Sequence, residues 1–317
     1  MELNKIYNED CLSGLRRLPD NVVDCVVTSP PNFALRDYGV DGQIGLEDSP
    51  EAYIGRLCDI FREVMRVMKS TGTLWVVIGD TYNCYRGAAT RQYYDNEFAG
   101  EFKHPARPSG YGLECKNLKD KDLIGIPWML AFALRGLGFY LRQDIIWHKP
   151  NPMPESVKSR CTKSHEYIFM LTKSPHYHFD RLALREPAAT GLRLNEFNYR
   201  HVRFNVPGHK QRQFRGSNQN DGMRNKRDVW SLCVKRGYGG HHATFPVELP
   251  VECIRLGSPV GGVILDPFMG SGTTAIAAMK CACHYIGFEL NEEYYTDSLR
   301  RIREVLPILP FDDNKKK

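Results

Sequence analysis

Apolar side chains along this chain follow two rhythms. Ile54, Leu57, Cys58, Phe61, Val64, Met65 and Met68 recur at the three- and four-residue spacing of one helix face. The pattern predicts a helix over 50–69, with Pro50 at its start and Gly72 just past its end. Elsewhere the apolar runs are short and continuous, as in "VVDCVVT" at 22–28 and "TLWVVIGD" at 73–80. Runs of this kind suit strands buried on both faces of a parallel sheet. Further strands are predicted at 5–10, 139–150, 164–174 and 284–290, further helices at 11–20, 122–138, 246–256 and 291–306, and a strand–loop–helix over 261–281. The alternation predicts an α/β fold with a doubly wound, mixed, mostly parallel sheet.

Two stretches break the rhythm. Residues 83–122 lack a clear period, which marks a functional or disordered loop. Residues 181–236 are poor in apolar side chains and rich in Gly, Asn and Gln, so they read as an insertion. The expected organisation is a catalytic half at 1–180, a basic insertion at 181–236, a cofactor-binding half at 237–310 and a disordered tail at 311–317. Charge singles out the insertion. Positions 193–236 hold eleven Lys and Arg against three Asp and Glu, an excess of +8, whereas the whole chain carries +6. A local basic segment on a near-neutral body suggests a polyanion partner, nucleic acid above all.

Other classes are excluded early. No apolar run approaches the ~18–20 residues that span a bilayer. "MELNKIYNEDCLSGL" lacks the basic flank and apolar core of a secretory signal, so the expected location is the cytoplasm. The ten cysteines are scattered without a C-x-x-C pair, which reads as reduced thiols and predicts no structural metal.

"VILDPFMGSGTTAIAA" at 263–278 sets Gly270 and Gly272 between a predicted strand and a predicted helix. Glycines there let the backbone approach a ligand, and a helix start adds free N–H donors. Glu289 ends the next strand, seventeen residues after Gly272, where a carboxylate can accept hydrogen bonds from ribose hydroxyls. With Ala275 the run also fits G-x-G-x-x-A, so a nicotinamide or flavin dinucleotide and S-adenosylmethionine are both candidate ligands. No G-x-x-x-x-G-K-[ST] occurs, which excludes a P-loop. Asp266 tilts the choice: an acidic residue there would repel a pyrophosphate but could receive the ammonium of a methionine moiety.

"TSPPNF" at 28–33 leaves the second predicted strand through a stiff turn. Pro30 and Pro31 have fixed φ and no N–H. Their carbonyls and the Ser29 hydroxyl form a rigid cluster of acceptors at a strand's carboxyl end, where open α/β sheets bind ligands. Such acceptors suit an exocyclic amine on a nucleobase. Hydrogen bonds to both amine hydrogens hold the nitrogen nearer a pyramidal geometry and expose its lone pair.

Two motifs together resemble one family, the amino-methylating DNA methyltransferases of β-type arrangement. "TSPP" is similar to the family's [S/D/N]-P-P-aromatic turn, and "DPFMGSGTT" to its D-P-F-x-G-S-G-T-T cofactor loop. "IYNEDCL", "GIPW", "HKPNPMPES" and "HATFP" are also similar to stretches of that family. The resemblance implies a Rossmann-like methyltransferase fold, S-adenosylmethionine as cofactor and double-stranded DNA as partner, with a cognate restriction endonuclease as a further partner. Ser29, Pro30 and Pro31 would then hold the target amine. Asp10, Thr244, Phe245, Pro246, Asp266, Phe268, Gly270, Ser271, Gly272, Thr273 and Glu289 would form the cofactor site. Arg203, Arg212, Arg215 and Arg224 are candidates for contacting DNA, because Arg reads guanine edges and binds phosphates.

By the same resemblance, serine before the prolines leans towards N4 of cytosine, with N6 of adenine as the alternative. The motif departs from the family at one place. Where an aromatic ring is expected to stack on the flipped base, this chain has Asn32, with Phe33 one residue later. Either Phe33 shifts over the base, or Asn32 hydrogen-bonds it and the stacking comes from elsewhere, or the enzyme is weakened. A nicotinamide oxidoreductase, a non-catalytic DNA-binding protein and a methyltransferase acting on RNA or a protein amide are the rival readings.

Overall fold

The computed structural model describes residues 2–35, 37–83, 117–187, 223–234 and 245–305. Arg203, Arg212, Arg215, Thr244, most of the 83–120 loop, most of the basic stretch and the chain from 306 onward lie outside the described residues. The chain divides into two compact units, Met1–Asp180 with Asp228–Lys317, and Arg181–Arg227.

In the larger unit the elements run β1 (Lys5–Asn8), α1 (Cys11–Arg16), β2 (Val23–Thr28), α2 (Pro50–Val67), β3 (Met68–Ile78), α3 (Ile126–Gly136), β4 (Tyr140–His148) and β5 (His165–Thr172). The smaller unit holds β6 (Glu186–Pro187) and β7 (Met223–Arg224), an antiparallel pair. The chain then continues through β8 (Val229–Ser231), α4 (Glu248–Gly257), β9 (Val263–Asp266), α5 (Thr273–Lys280), β10 (His284–Glu289) and α6 (Glu292–Val305).

Eight strands form one sheet in the order β1-β10-β9-β2-β3-β5-β4-β8. Only β5 runs against its neighbours; the other pairings are parallel. The sheet is therefore mixed and mostly parallel. Residues 229–231, inside the stretch read as an insertion, are strand β8 and pair with β4 instead.

Strand periodicity sorts the core into two layers. Val26, Leu74 and Val76 pack with Tyr53, Leu57 and Phe61 of α2 in one apolar cluster. The residues between them face the other way, where Thr73 Oγ1 donates to Gly257 O at the end of α4 (2.9 Å). Ser49 caps α2 by accepting from Ala52 N (3.1 Å). Gly72 does not stop that helix as expected. The helix ends at Val67, and β3 begins at once at Met68 opposite Val23. Gly72 lies inside β3 at an irregularity in the ladder, where an added Cβ would sit 3.0 Å from Lys69 O. Pairing with β2, rather than glycine, terminates α2.

Candidate active site

Four adjacent parallel strands, β1, β10, β9 and β2, deliver their carboxyl ends to one pocket. Asp10 follows β1, Ser29 to Asn32 follow β2, Phe268 and Gly270 follow β9, and Glu289 closes β10. From the β9/β2 junction the chain winds outward to β10 on one side and to β3 on the other. Ligands bind at such switch points because the loops there diverge and leave a crevice.

The glycine loop is built from backbone donors and side-chain ties. Gly270 (φ +54°) and Gly272 (φ +82°) take left-handed conformations that L side chains rarely adopt. An added Cβ on Gly270 would meet no atom nearer than Phe268 O at 4.0 Å, so the pocket side of that residue is open. Glu289 accepts from Gly270 N (2.7 Å) through Oε2 and from Asn291 N (2.8 Å) through Oε1. A carboxylate offers about four acceptor sites, so two backbone bonds leave capacity towards the pocket. Burial pushes the Glu289 carboxyl up, and those N–H donors pull it back. Arg301 of α6 clamps the same loop, donating from Nη1 to Ser271 O, Ser271 Oγ and Thr273 Oγ1. Arg301 was not legible as a site residue, since it lies in an amphipathic helix after the motif.

Asp266 does not face a ligand as the sequence leads one to expect. It does not line the pocket and is 1 % exposed. Its carboxylate accepts from Thr28 Oγ1 (2.6 Å), Thr274 Oγ1 (2.6 Å) and Phe268 N (3.0 Å). Burial raises its carboxyl to about 6, against the pull of these donors. A carboxylate this deeply buried and bonded to three internal donors is a tie between β2, β9 and α5, turned away from the pocket.

The β2 turn is held from three directions. Tyr53 Oη donates to Pro31 O (2.8 Å), so one of the two proline carbonyls expected to face a substrate already has a donor from the core. Asn32 lines the pocket, and its Oδ1 accepts from Gly79 N at 3.4 Å. Ala34 N donates to Gly45 O (2.8 Å). Phe33 is corrected as a stacking residue: it is 1 % exposed and packs on the Tyr53 ring, 5.4 Å between centroids. An aromatic ring following two prolines gains more from the core beneath β2 than from an open pocket.

Of the other expected residues, Phe245, Ser271 and Thr273 line the pocket, whereas Gly272 and Pro246 do not. Pro246 is buried, and its carbonyl accepts from Leu249 N (3.0 Å) at the start of α4. Tyr38 and Tyr294 were missed. Both line the pocket with their rings edge-on at 5.9 Å. Their signal was present, since Tyr38 lies a few residues past "TSPPNF" and Tyr294 five residues past Glu289. In the smaller unit Arg224 and Arg227 both approach Glu186 Oε2, at 3.4 and 3.0 Å. Among the described residues, no group of three His, Cys, Asp or Glu is placed to hold a metal ion, and no helix is long and apolar enough to cross a membrane.

A pocket at the switch point, an open glycine at its floor and carboxylates at two strand ends suit an adenosine-bearing cofactor. This is the class of α/β proteins that bind a nucleoside-bearing cofactor at a switch point of the sheet. Comparison with known proteins then narrows it: the DNA methylase family N6_N4_Mtase matches residues 23–300, and the chain belongs to that family, which uses S-adenosylmethionine. The type II methyltransferase M.Cfr9I of Citrobacter freundii is 44% identical over 306 residues, covering 96% of this chain and 89% of its own. M.SmaI of Serratia marcescens is 41% identical over 298 residues, 94% of this chain and 90% of its own. Among solved structures, the PvuII cytosine-N4-specific DNA methyltransferase superposes with TM-score 0.63 at 17% identity, covering 100% of this chain and 89% of that one. The Thermus thermophilus protein TTHA0409, solved in complex with S-adenosyl-L-methionine, gives 0.58 at 22% identity, covering 96% and 95%. These likenesses of fold agree with the mixed sheet described above.

Proposed function

We propose that this DNA methyltransferase methylates N4 of cytosine within a specific duplex site. The carrying observation is that Ser29, Pro30 and Asn32 line the same pocket as Phe268, Gly270 and Glu289. The resemblance of "TSPP" to the serine form of the amine-binding turn supports cytosine over adenine.

In this reading Glu289 and Asp10 hold the adenosine end of the cofactor, and Phe268 and Gly270 pack against it. Bound there, S-adenosylmethionine supplies an electrophilic methyl group. Ser29 Oγ and Pro30 O accept the two hydrogens of the target amine, while Pro31 O already holds one donor from Tyr53. Asn32 Oδ1 accepts from Gly79 N (3.4 Å), which leaves Nδ2 as the donor for the base. The ring acceptor beside the target amine, N3 in cytosine as N1 in adenine, matches that donor. The protein contributes position and oriented dipoles, with no charged base required.

A base inside a duplex must leave the stack, which costs a few kcal/mol. Phosphate contacts from the basic stretch, including Arg203, Arg212, Arg215 and Arg224, would offset that cost. A cognate restriction endonuclease and a cytoplasmic setting complete the proposal.

The test uses labelled S-adenosylmethionine and unmethylated plasmid, followed by digestion to nucleosides. Label in 4-methylcytosine supports the proposal. Label in 6-methyladenine moves it to the adenine reading, and absence of label in either base overturns both.

A further inference from the structure

A pair of adjacent prolines creates a mechanical difficulty. Neither residue has an N–H, so the turn cannot be tied through its own donors and only its carbonyls are available. In this chain the tie comes from a residue that lies outside every motif. Tyr53 sits on the buried face of α2, and its side chain is fully inside. Its hydroxyl donates to Pro31 O at 2.8 Å, and its ring packs on Phe33 at 5.4 Å. One side chain therefore grips the turn at two points, on either side of Asn32.

The grip has a geometric consequence. The Pro31 carbonyl and the Asn32 N–H belong to one planar peptide. Drawing the carbonyl onto the phenol fixes that plane, and with it the way Asn32 enters the pocket. It also occupies one acceptor site of Pro31 O, which favours Ser29 Oγ and Pro30 O for the amine. Desolvation pushes the phenol far above its ordinary range, so it remains a proton donor at every pH the protein meets. Tyr53 does not line the pocket, so it acts only through the turn.

We propose that Tyr53 is a positioning residue for methyl transfer, one whose hydroxyl orients the Pro31–Asn32 peptide so that the amine-binding acceptors and Asn32 face the target base. The proposal rests on the DNA-methylation reading of the pocket. Misplacing reacting groups by about 1 Å can cost on the order of 100-fold in rate.

The experiment compares Tyr53→Phe, which keeps the ring and loses the donor, with Phe61→Leu, which thins the same helix face and keeps the donor. Both are measured for thermal midpoint, cofactor Kd, KM for DNA, and kcat per cofactor-binding site. Tyr53→Phe is expected to lose at least about 10-fold in kcat while cofactor Kd and KM stay within about 3-fold of wild type. Phe61→Leu is expected to lower the midpoint and keep kcat. Tyr53→Met, also without a donor, replaces the first variant if phenylalanine leaves the protein unfolded. A Tyr53→Phe kcat that stays within about 3-fold of wild type, or a loss that Phe61→Leu matches at a similar fall in midpoint, overturns the proposal alone. Wild-type protein that methylates neither base overturns the function reading and this proposal with it.

Discussion

Thr28 Oγ1 donates to Asp266 Oδ1 across 2.6 Å, joining two residues 238 positions apart. The bond ties the end of β2, which leads into the amine-binding turn, to the end of β9, which leads into the glycine loop. Both groups are buried, so the bond is shielded from water and from salt. Thr28→Val keeps the side-chain shape and removes the donor. The expected result is a loss of about 1–3 kcal/mol in unfolding free energy, read by urea denaturation, together with weaker cofactor binding.

Asp266 also predicts a pH dependence. Its folded-state value of about 6 lies above the ordinary 3.8, so the folded protein holds the proton more tightly than the unfolded chain. The contribution of this group to stability is greatest below 3.8, falls as pH rises towards about 6, and is level beyond that. Denaturation curves across this window should show a decline on the order of 2–3 kcal/mol in wild type relative to Asp266→Asn. Equal slopes for the two proteins would contradict the assignment.

Asn32 and Phe33 should separate cleanly. Phe33→Ala empties a core position and is expected to cost about 3–5 kcal/mol of stability. Asn32→Ala should leave the thermal midpoint near wild type and reduce methyl transfer about 10-fold or more, since a buried hydrogen bond to the base is worth that much. A target duplex carrying 3-deazacytosine, which lacks the ring acceptor, should impair wild type and make little further difference to Asn32→Ala.

Arg301 predicts a binding effect at a distance from the motif. Arg301→Met keeps much of the packing and removes the donors to Ser271 and Thr273. Cofactor Kd, measured by calorimetry, is expected to rise about 10-fold with little change in kcat at saturation. A fall in kcat with unchanged Kd would show that the clamp serves the reaction rather than the loop.

Legibility in the sequence followed the range of the interactions. A helix expected over 50–69 and a strand expected at 73–80 could be read, with bounds that the fold moves to Pro50–Val67 and Met68–Ile78, because period and buried width are local properties. Gly72 misled because its usual meaning as a stop yields when a neighbouring strand supplies the pairing. The two motifs were readable as chemistry, yet which of their atoms face the ligand was not. Asp266 and Pro31 O look available in sequence and are spent on Thr28, Thr274 and Tyr53 in the fold.

The sequence by itself determined the α/β alternation, the two motifs and their order, and the uneven charge, because each depends on residue type and spacing along the chain. The tertiary structure decided which strand ends meet, that Phe33 turns into the core while Asn32 stays at the pocket, and that Tyr53 and Arg301 hold the two loops. Those outcomes depend on hydrogen bonds and packing between segments far apart in the chain, and a one-dimensional pattern carries no record of which donor reaches which acceptor.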